Sequence, residues 1–158
     1  MALRSPAERI FAGSIPALRF KMTVYSKKID VHTKERIDFI RITDDIRKAV
    51  RESGVQDGIV LVNPLHITAS VFINDNEKGL INDFKEWLEK LAPKNFNYHH
   101  HATGENNGFS HLWRTVMGRE VVISVQNFEL ELGPWEEIFY GEFDGQRDKK
   151  ILIKVLGE

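Results

Sequence analysis

Four of the six histidines in this 158-residue chain fall between Tyr98 and His111. The run His99-His100-His101 opens that stretch, and His111 closes it behind Asn106-Asn107-Gly108-Phe109-Ser110. A fifth, His66, stands in Pro64-Leu65-His66-Ile67-Thr68-Ala69-Ser70, which reads as a buried strand. Imidazole exchanges protons near neutral pH and ligates divalent metals, and a polar ring on an apolar strand needs a partner. We therefore expect His66, one loop histidine and His111 to converge on a site that binds a divalent metal or a phosphate. Their separations match no local metal motif, so the convergence has to be tertiary. Each also has a plainer reading. His66 reads equally as a hydrogen-bonded core histidine and His111 as a surface helix residue, while geometry lets only some of three adjacent histidines face one point.

Composition narrows the chemistry. With no cysteine there is no thiolate nucleophile and no sulfur-ligated metal. Three imidazoles at about 2.0–2.1 Å with an open fourth position suit zinc. Magnesium would lean on carboxylates, here Asp75, Glu77 and Asp83, with Arg114 and Arg147 offsetting phosphate charge. The donor set favours zinc over magnesium. A net charge of -1 with dispersed Lys and Arg argues against nucleic-acid and membrane partners. No apolar run is long enough to span a bilayer and the first twenty residues carry no signal-peptide core, so a soluble cytoplasmic protein is expected.

The elements that must position these residues follow from periodicity. Residues 1–21 read as an irregular arm containing Pro6, Gly13 and Pro16, and residues 22–158 as one domain, for which 42% apolar content suffices. Thr23 to Val31 and Arg36 to Ile42 suggest a hairpin. Thr43 is placed to cap a helix that Gly54 ends. Gly58 to Asn63 and the alternating His66 to Ile73 read as strands, which puts His66, Thr68 and Ser70 on one face. A helix over Leu80 to Leu91 stops at Pro93, and the long loop to Asn107 favours a functional role. A third helix from Gly108 carries Phe109, Leu112, Trp113, Val116 and Met117 on one side, with Asn107, also a candidate cap, His111 and Arg114 on the other. The remainder is strand, with Trp135 read as a packing anchor. The pattern predicts an α+β fold of seven to eight largely antiparallel strands and about three helices. Because Ile59 to Val62 and Val121 to Val125 carry apolar residues on both faces, the sheet should be covered on both sides, by helices, a second sheet or, most simply, a neighbouring subunit.

The chain resembles the YjbQ-like family, also called secondary thiamine-phosphate synthases. The resemblance rests on seven ordered blocks: His66 to Ser70 with Ile73-Asn74-Asp75; Asp83; Tyr98 with His100; Asn107 with Ser110-His111-Leu112; Met117-Gly118; Leu132-Gly133-Pro134-Trp135; and Asp144-Gly145 with Arg147. It departs from the family's usual residues at Ile67, Asp75, Glu136 and Gln146. The resemblance implies an α+β subunit, a homotrimer, a pocket near the subunit interface lined by the matched histidines, and the joining of a pyrimidine diphosphate to a thiazole phosphate. With the residue types, it makes His66, His111 and Asp75 the expected catalytic residues and Thr68, Asn107, Arg114 and Arg147 the expected substrate contacts. His66, His100 and His111 are the expected metal ligands. The other class left open is a non-catalytic oligomeric protein that binds a ligand or metal.

Overall fold

The computed structural model describes residues 21–158, so the expected amino-terminal arm lies, apart from Lys21, outside the described residues. In chain order the elements are β1 (Thr23–Val31), β2 (Asp38–Arg41), α1 (Thr43–Ser53), β3 (Gly58–Pro64), β4 (Ala69–Asn74), α2 (Lys78–Leu91), a 3-10 turn (His99–Thr103), α3 (Gly108–Met117), β5 (Val121–Gln126), β6 (Glu129–Leu130), β7 (Glu137–Glu142) and β8 (Lys149–Gly157). The strands form two wholly antiparallel sheets, in the orders β1-β8-β3-β5-β6 and β2-β7-β4. This is the α+β architecture that periodicity implies.

Strand alternation assigns each side of the three-stranded sheet to a different core. Val71, Ile138 and Tyr140 point into a cluster completed by Ile46, Ala49 and Val50 of α1 and by Val60, Val62, Ile123, Ile151 and Ile153 of the larger sheet. On the opposite side Phe72 and Phe139 stack with ring centroids 5.5 Å apart, and Phe39 meets Phe72 edge-on at 5.7 Å. Beyond them Leu88 of α2 packs with Phe109 and Trp113 of α3 and with Phe143. The smaller sheet is thus covered on both faces. Among the described residues the larger one is covered on one: Val24 is 60% and Val122 58% exposed, with Ile59 beside them also open.

Helix ends follow local rules in part. Glu77 accepts from the backbone amides of Gly79 and Leu80, both at 2.7 Å, which caps α2 and holds that carboxyl below its ordinary range. Gly54 ends α1 in the left-handed region, at φ 68°. Thr43 does not cap α1. It is the first helical residue, and its hydroxyl instead accepts from the amide of Ile138 at 2.8 Å, tying the helix to β7.

Three further expectations are corrected. The hairpin does not form, because β1 pairs along its whole length with β8, Thr23 with Gly157 through Val31 with Lys149, whereas β2 pairs with β7 in the other sheet. The connecting residues have no tight-turn dipeptide to override that long-range pairing. His66 is not on a strand: β3 ends at Pro64, β4 begins at Ala69, and His66 lies half-buried in the turn between them. Trp135 is 75% exposed, held out by a tight turn in which Glu136 and Gly133 bond each other through both backbone and carboxylate.

Candidate functional site

Alternation along β7 places Ile138, Tyr140 and Glu142 on the side facing the larger sheet, so a carboxylate arrives in the core directly after two apolar positions. Glu142 is fully buried. Burying a carboxylate is tolerated only when its lone pairs are satisfied, and here they are. Its Oε1 accepts the amides of Phe143 at 3.1 Å and Asp144 at 3.0 Å and the ammonium of Lys149 at 3.2 Å, while Oε2 accepts the Tyr140 hydroxyl at 2.6 Å. Burial, then this bond to the carboxylate, pushes the tyrosine pKa far up. Lys149, 4% exposed at the first position of β8, also donates to Thr68 Oγ1 at 3.2 Å. That bond reaches the turn that carries His66. Burial pushes the His66 pKa down; the positive charge of Lys149 acts in the same direction and Glu142 opposes it. Burial thus favours the neutral form of the His66 imidazole.

A second cluster forms where the long loop meets α3. The Tyr98 side chain lies against Gly108, where a Cβ would come within 2.7 Å of the tyrosine Cβ and 2.8 Å of its ring, so the loop can close on the helix only over a glycine. Ser110 donates to the Phe143 carbonyl at 2.7 Å and the Trp113 indole to the Ala92 carbonyl at 2.9 Å. Ser70 also bonds the Gly118 carbonyl just past the helix end. So fixed, α3 presents His111 to His100 of the 3-10 turn, with ring centroids 4.6 Å apart in a T-shaped arrangement. Burial lowers the His111 pKa; His100 and Arg114 push it further down and Asp144 opposes them. Asn107 takes the N-cap position without capping: its amide donates to Asp144 at 3.0 Å and leaves its own buried Oδ1 without a donor among the described residues. Asp144 also accepts from Arg36 at 3.2 Å and from Arg147.

Arg114 connects the two clusters. It lies one turn beyond His111 and lines, with Pro64, Leu65, His66, Ile67 and Arg119, a depression of about 320 Å³. Its Nε is buried without an acceptor among the described residues. The structure thus brings His100 to His111, Arg114 to His66 and His111, Thr68 to Lys149, and Asn107 and Arg147 to Asp144. It does not bring Asp75 to them. Asp75 follows β4, whose six residues span about 20 Å, and His66 precedes that strand. Nor, among the described residues, do three or more His, Asp or Glu side chains come together to hold a metal. Among the described residues the imidazoles that meet are His100 and His111, and two ligands are short of the number zinc usually takes.

Sequence reasoning overlooked Glu142, Lys149, Tyr140 and Arg36. The period-two signal was present, since Tyr140 and Glu142 fall on the face set by Ile138. The partners of Glu142 lie within a few residues of it, but its burial under the larger sheet is a tertiary fact, and the partners of Arg36 are far off in the chain and leave no local trace.

A profile described as that of UPF0047 YjbQ-like proteins matches residues 27–158. A UPF0047 protein of Methanothermobacter thermautotrophicus is 35% identical over 137 residues, covering 87% of this chain and 95% of that one. One from Archaeoglobus fulgidus is 36% identical, covering 82% and 99%. Among solved structures, a YbjQ-like protein from Sulfolobus solfataricus superimposes with a TM-score of 0.83 at 33% identity, covering 87% of this chain and 99% of that one. No helix of the described residues is long and apolar enough to cross a membrane.

Proposed function

The chain belongs to the YjbQ-like UPF0047 family, and on that premise we propose that it is a small-molecule enzyme acting on a phosphorylated substrate at the surface shared by His66, His111 and Arg114. The observation that carries this reading is a pair of half-buried imidazoles, both held neutral, with a guanidinium beside each whose buried Nε has no acceptor among the described residues. A neutral imidazole accepts a proton from a reacting group and returns it to a leaving group; a cation alongside offsets charge that develops on phosphate oxygen. Thr68 and Asn107 are fixed next to these groups by Lys149 and Asp144. The reaction we assign by resemblance is thiamine-phosphate formation from a pyrimidine diphosphate and a thiazole phosphate.

For any bound cation we favour zinc over magnesium, held by His100 and His111 together with donors from outside the single chain's cluster; Asp75 is a candidate only across such a boundary. Zinc there would polarise a phosphate oxygen. The uncovered apolar face around Val24, Ile59 and Val122 supports a homotrimer, and the same reading takes the protein as cytoplasmic.

The test is thiamine-phosphate formation from the two phosphorylated precursors by the full chain, with and without added zinc or magnesium, alongside metal content and sedimentation mass. Product from the wild type and none from His66→Ala or His111→Ala supports the reading. Undiminished product from the metal-free double variant sinks it. The uncovered sheet face also favours a second reading, an oligomeric ligand-binding module without turnover. In that case no product forms under any condition, yet charged substitution at Val122 dissociates the assembly.

A further inference from the structure

Arg36 and Arg147 come from segments far apart in the chain and meet on one buried carboxylate. Arg36 Nε donates to Asp144 Oδ1 at 3.2 Å and Arg147 Nη2 to Oδ2. Arg36 Nη2 is taken up by the carbonyl and side-chain oxygens of Asn106, at 3.2 and 2.7 Å. A guanidinium offers its donors in a rigid planar fork, so these bonds also decide which N–H groups remain. Nη1 of Arg36 and Nε and Nη1 of Arg147 have no acceptor among the described residues. Two cations on one carboxylate leave a net positive charge. They line, with Asn106, Asp144, Gly145 and Gln146, a depression of about 340 Å³.

The walls of this depression are built rather than incidental. Gly145 approaches the segment before β2 so closely that a Cβ would sit 2.1 Å from Thr33 Oγ1 and 2.5 Å from the Glu35 carbonyl oxygen. Next to it, Gln146 is held at φ 64°, a conformation unfavourable for a side-chain-bearing residue, by bonds from its amide to Thr33 and from its side chain to the Lys34 carbonyl. Asp144 is 4% exposed and already accepts from three donors, so it acts as a fixed anchor below the arginines.

We propose that Arg36 and Arg147, set side by side on the buried carboxylate of Asp144, form an anion subsite for a phosphate group, separate from the depression that His66 shares with Arg114. The proposal deepens the reading of a phosphorylated substrate and rests on it for ligand class. Asp144 joins the two places, since it fixes Arg36 and Arg147 on one side and Asn107 on the other. A substrate with a phosphate on the arginine pair would reach His111 past Asn107.

The test is titration of the full-length protein with inorganic phosphate, followed by the arginine Nε–H resonances, with chloride at matched ionic strength and acetate as controls. We expect saturable shifts at Arg36 and Arg147, a loss of affinity of about tenfold in Arg147→Met, and a smaller loss in Arg36→Lys, which keeps the charge without the fork. Arg36→Lys also guards against misfolding, because the charge on Asp144 stays compensated. Equal shifts with chloride, acetate binding as strong as phosphate, or an unchanged affinity in Arg147→Met would each overturn the assignment. Phosphate binding is read without turnover. Failure of the thiamine-phosphate assay alongside saturable shifts at both arginines would remove the enzyme reading and keep the subsite; product without those shifts would do the reverse.

Discussion

The space around Glu142 and the edge of α3 around Asn107 and Arg114 lie on either side of the β7 to β8 turn, and they treat polar atoms in opposite ways. Around Glu142 both carboxylate oxygens have partners, and the one buried cation has two acceptors. Along α3, Asn107 Oδ1 and Arg114 Nε are buried with nothing to bond among the described residues, and His101 Nε2 nearby is in the same condition. A completed network has no capacity left for a ligand, so the first region holds geometry. An incomplete one costs stability until something completes it, so the second is where a ligand gains most.

The largest expected effect breaks the closed side. Lys149→Met leaves the Glu142 carboxylate buried without its cation and should cost about 3–5 kcal/mol in urea unfolding, while adding Glu142→Gln, which removes the charge and keeps an acceptor for the amides of Phe143 and Asp144, should recover part of that loss. A single-variant cost near zero would mean that the network is not holding the turn of His66. An intermediate effect sharpens the open side. Asn107→Ala removes one donor from Asp144 but also an unpaired acceptor, so a cost of about 1–2 kcal/mol is expected, below that of removing a fully used group. Equal costs for Asn107 and Lys149 would erase the distinction between the regions.

The smallest effect is on pH dependence. Burial holds both His66 and His111 below the ordinary imidazole pKa of 6.5. Below that value the unfolded chain binds more protons than the folded one, so stability should be level above pH 6.5 and fall as pH drops toward the depressed folded values. In His66→Gln/His111→Gln the urea midpoint should change less across that window. An identical slope in the double variant would show that neither imidazole is held neutral.

Much of this was readable from residue order. The three helices and the strands follow from period, and the Gly54 stop from a cap residue that acts within a few positions, whereas neither Thr43 nor Asn107 caps its helix. Of the side of α3 read as apolar, Phe109 and Trp113 are buried but Leu112 and Val116 are exposed, and Asn107, read onto the opposite side, is buried, because helical period alone does not say which flank of a stripe meets the core. Neighbouring apolar positions misled in β3 and β5: Ile59 and Val122 face outward, and composition cannot tell an uncovered face from a covered one. His66 was assigned to a strand because alternation continued through Thr68, whereas Pro64 closes β3 and a turn intervenes.

Local chemistry determined which side chains this protein could use: imidazoles, arginines and carboxylates, with no thiol, on an antiparallel α+β frame. Only the folded chain decided that His100 faces His111, that Arg36 joins Arg147 on Asp144, and that Asp75 stands at the far end of β4. Those placements depend on separate segments meeting, and they are selected by the pairing of β8 with β1 and β3 and by the burial of Glu142. Both are long-range conditions that no short window of sequence contains.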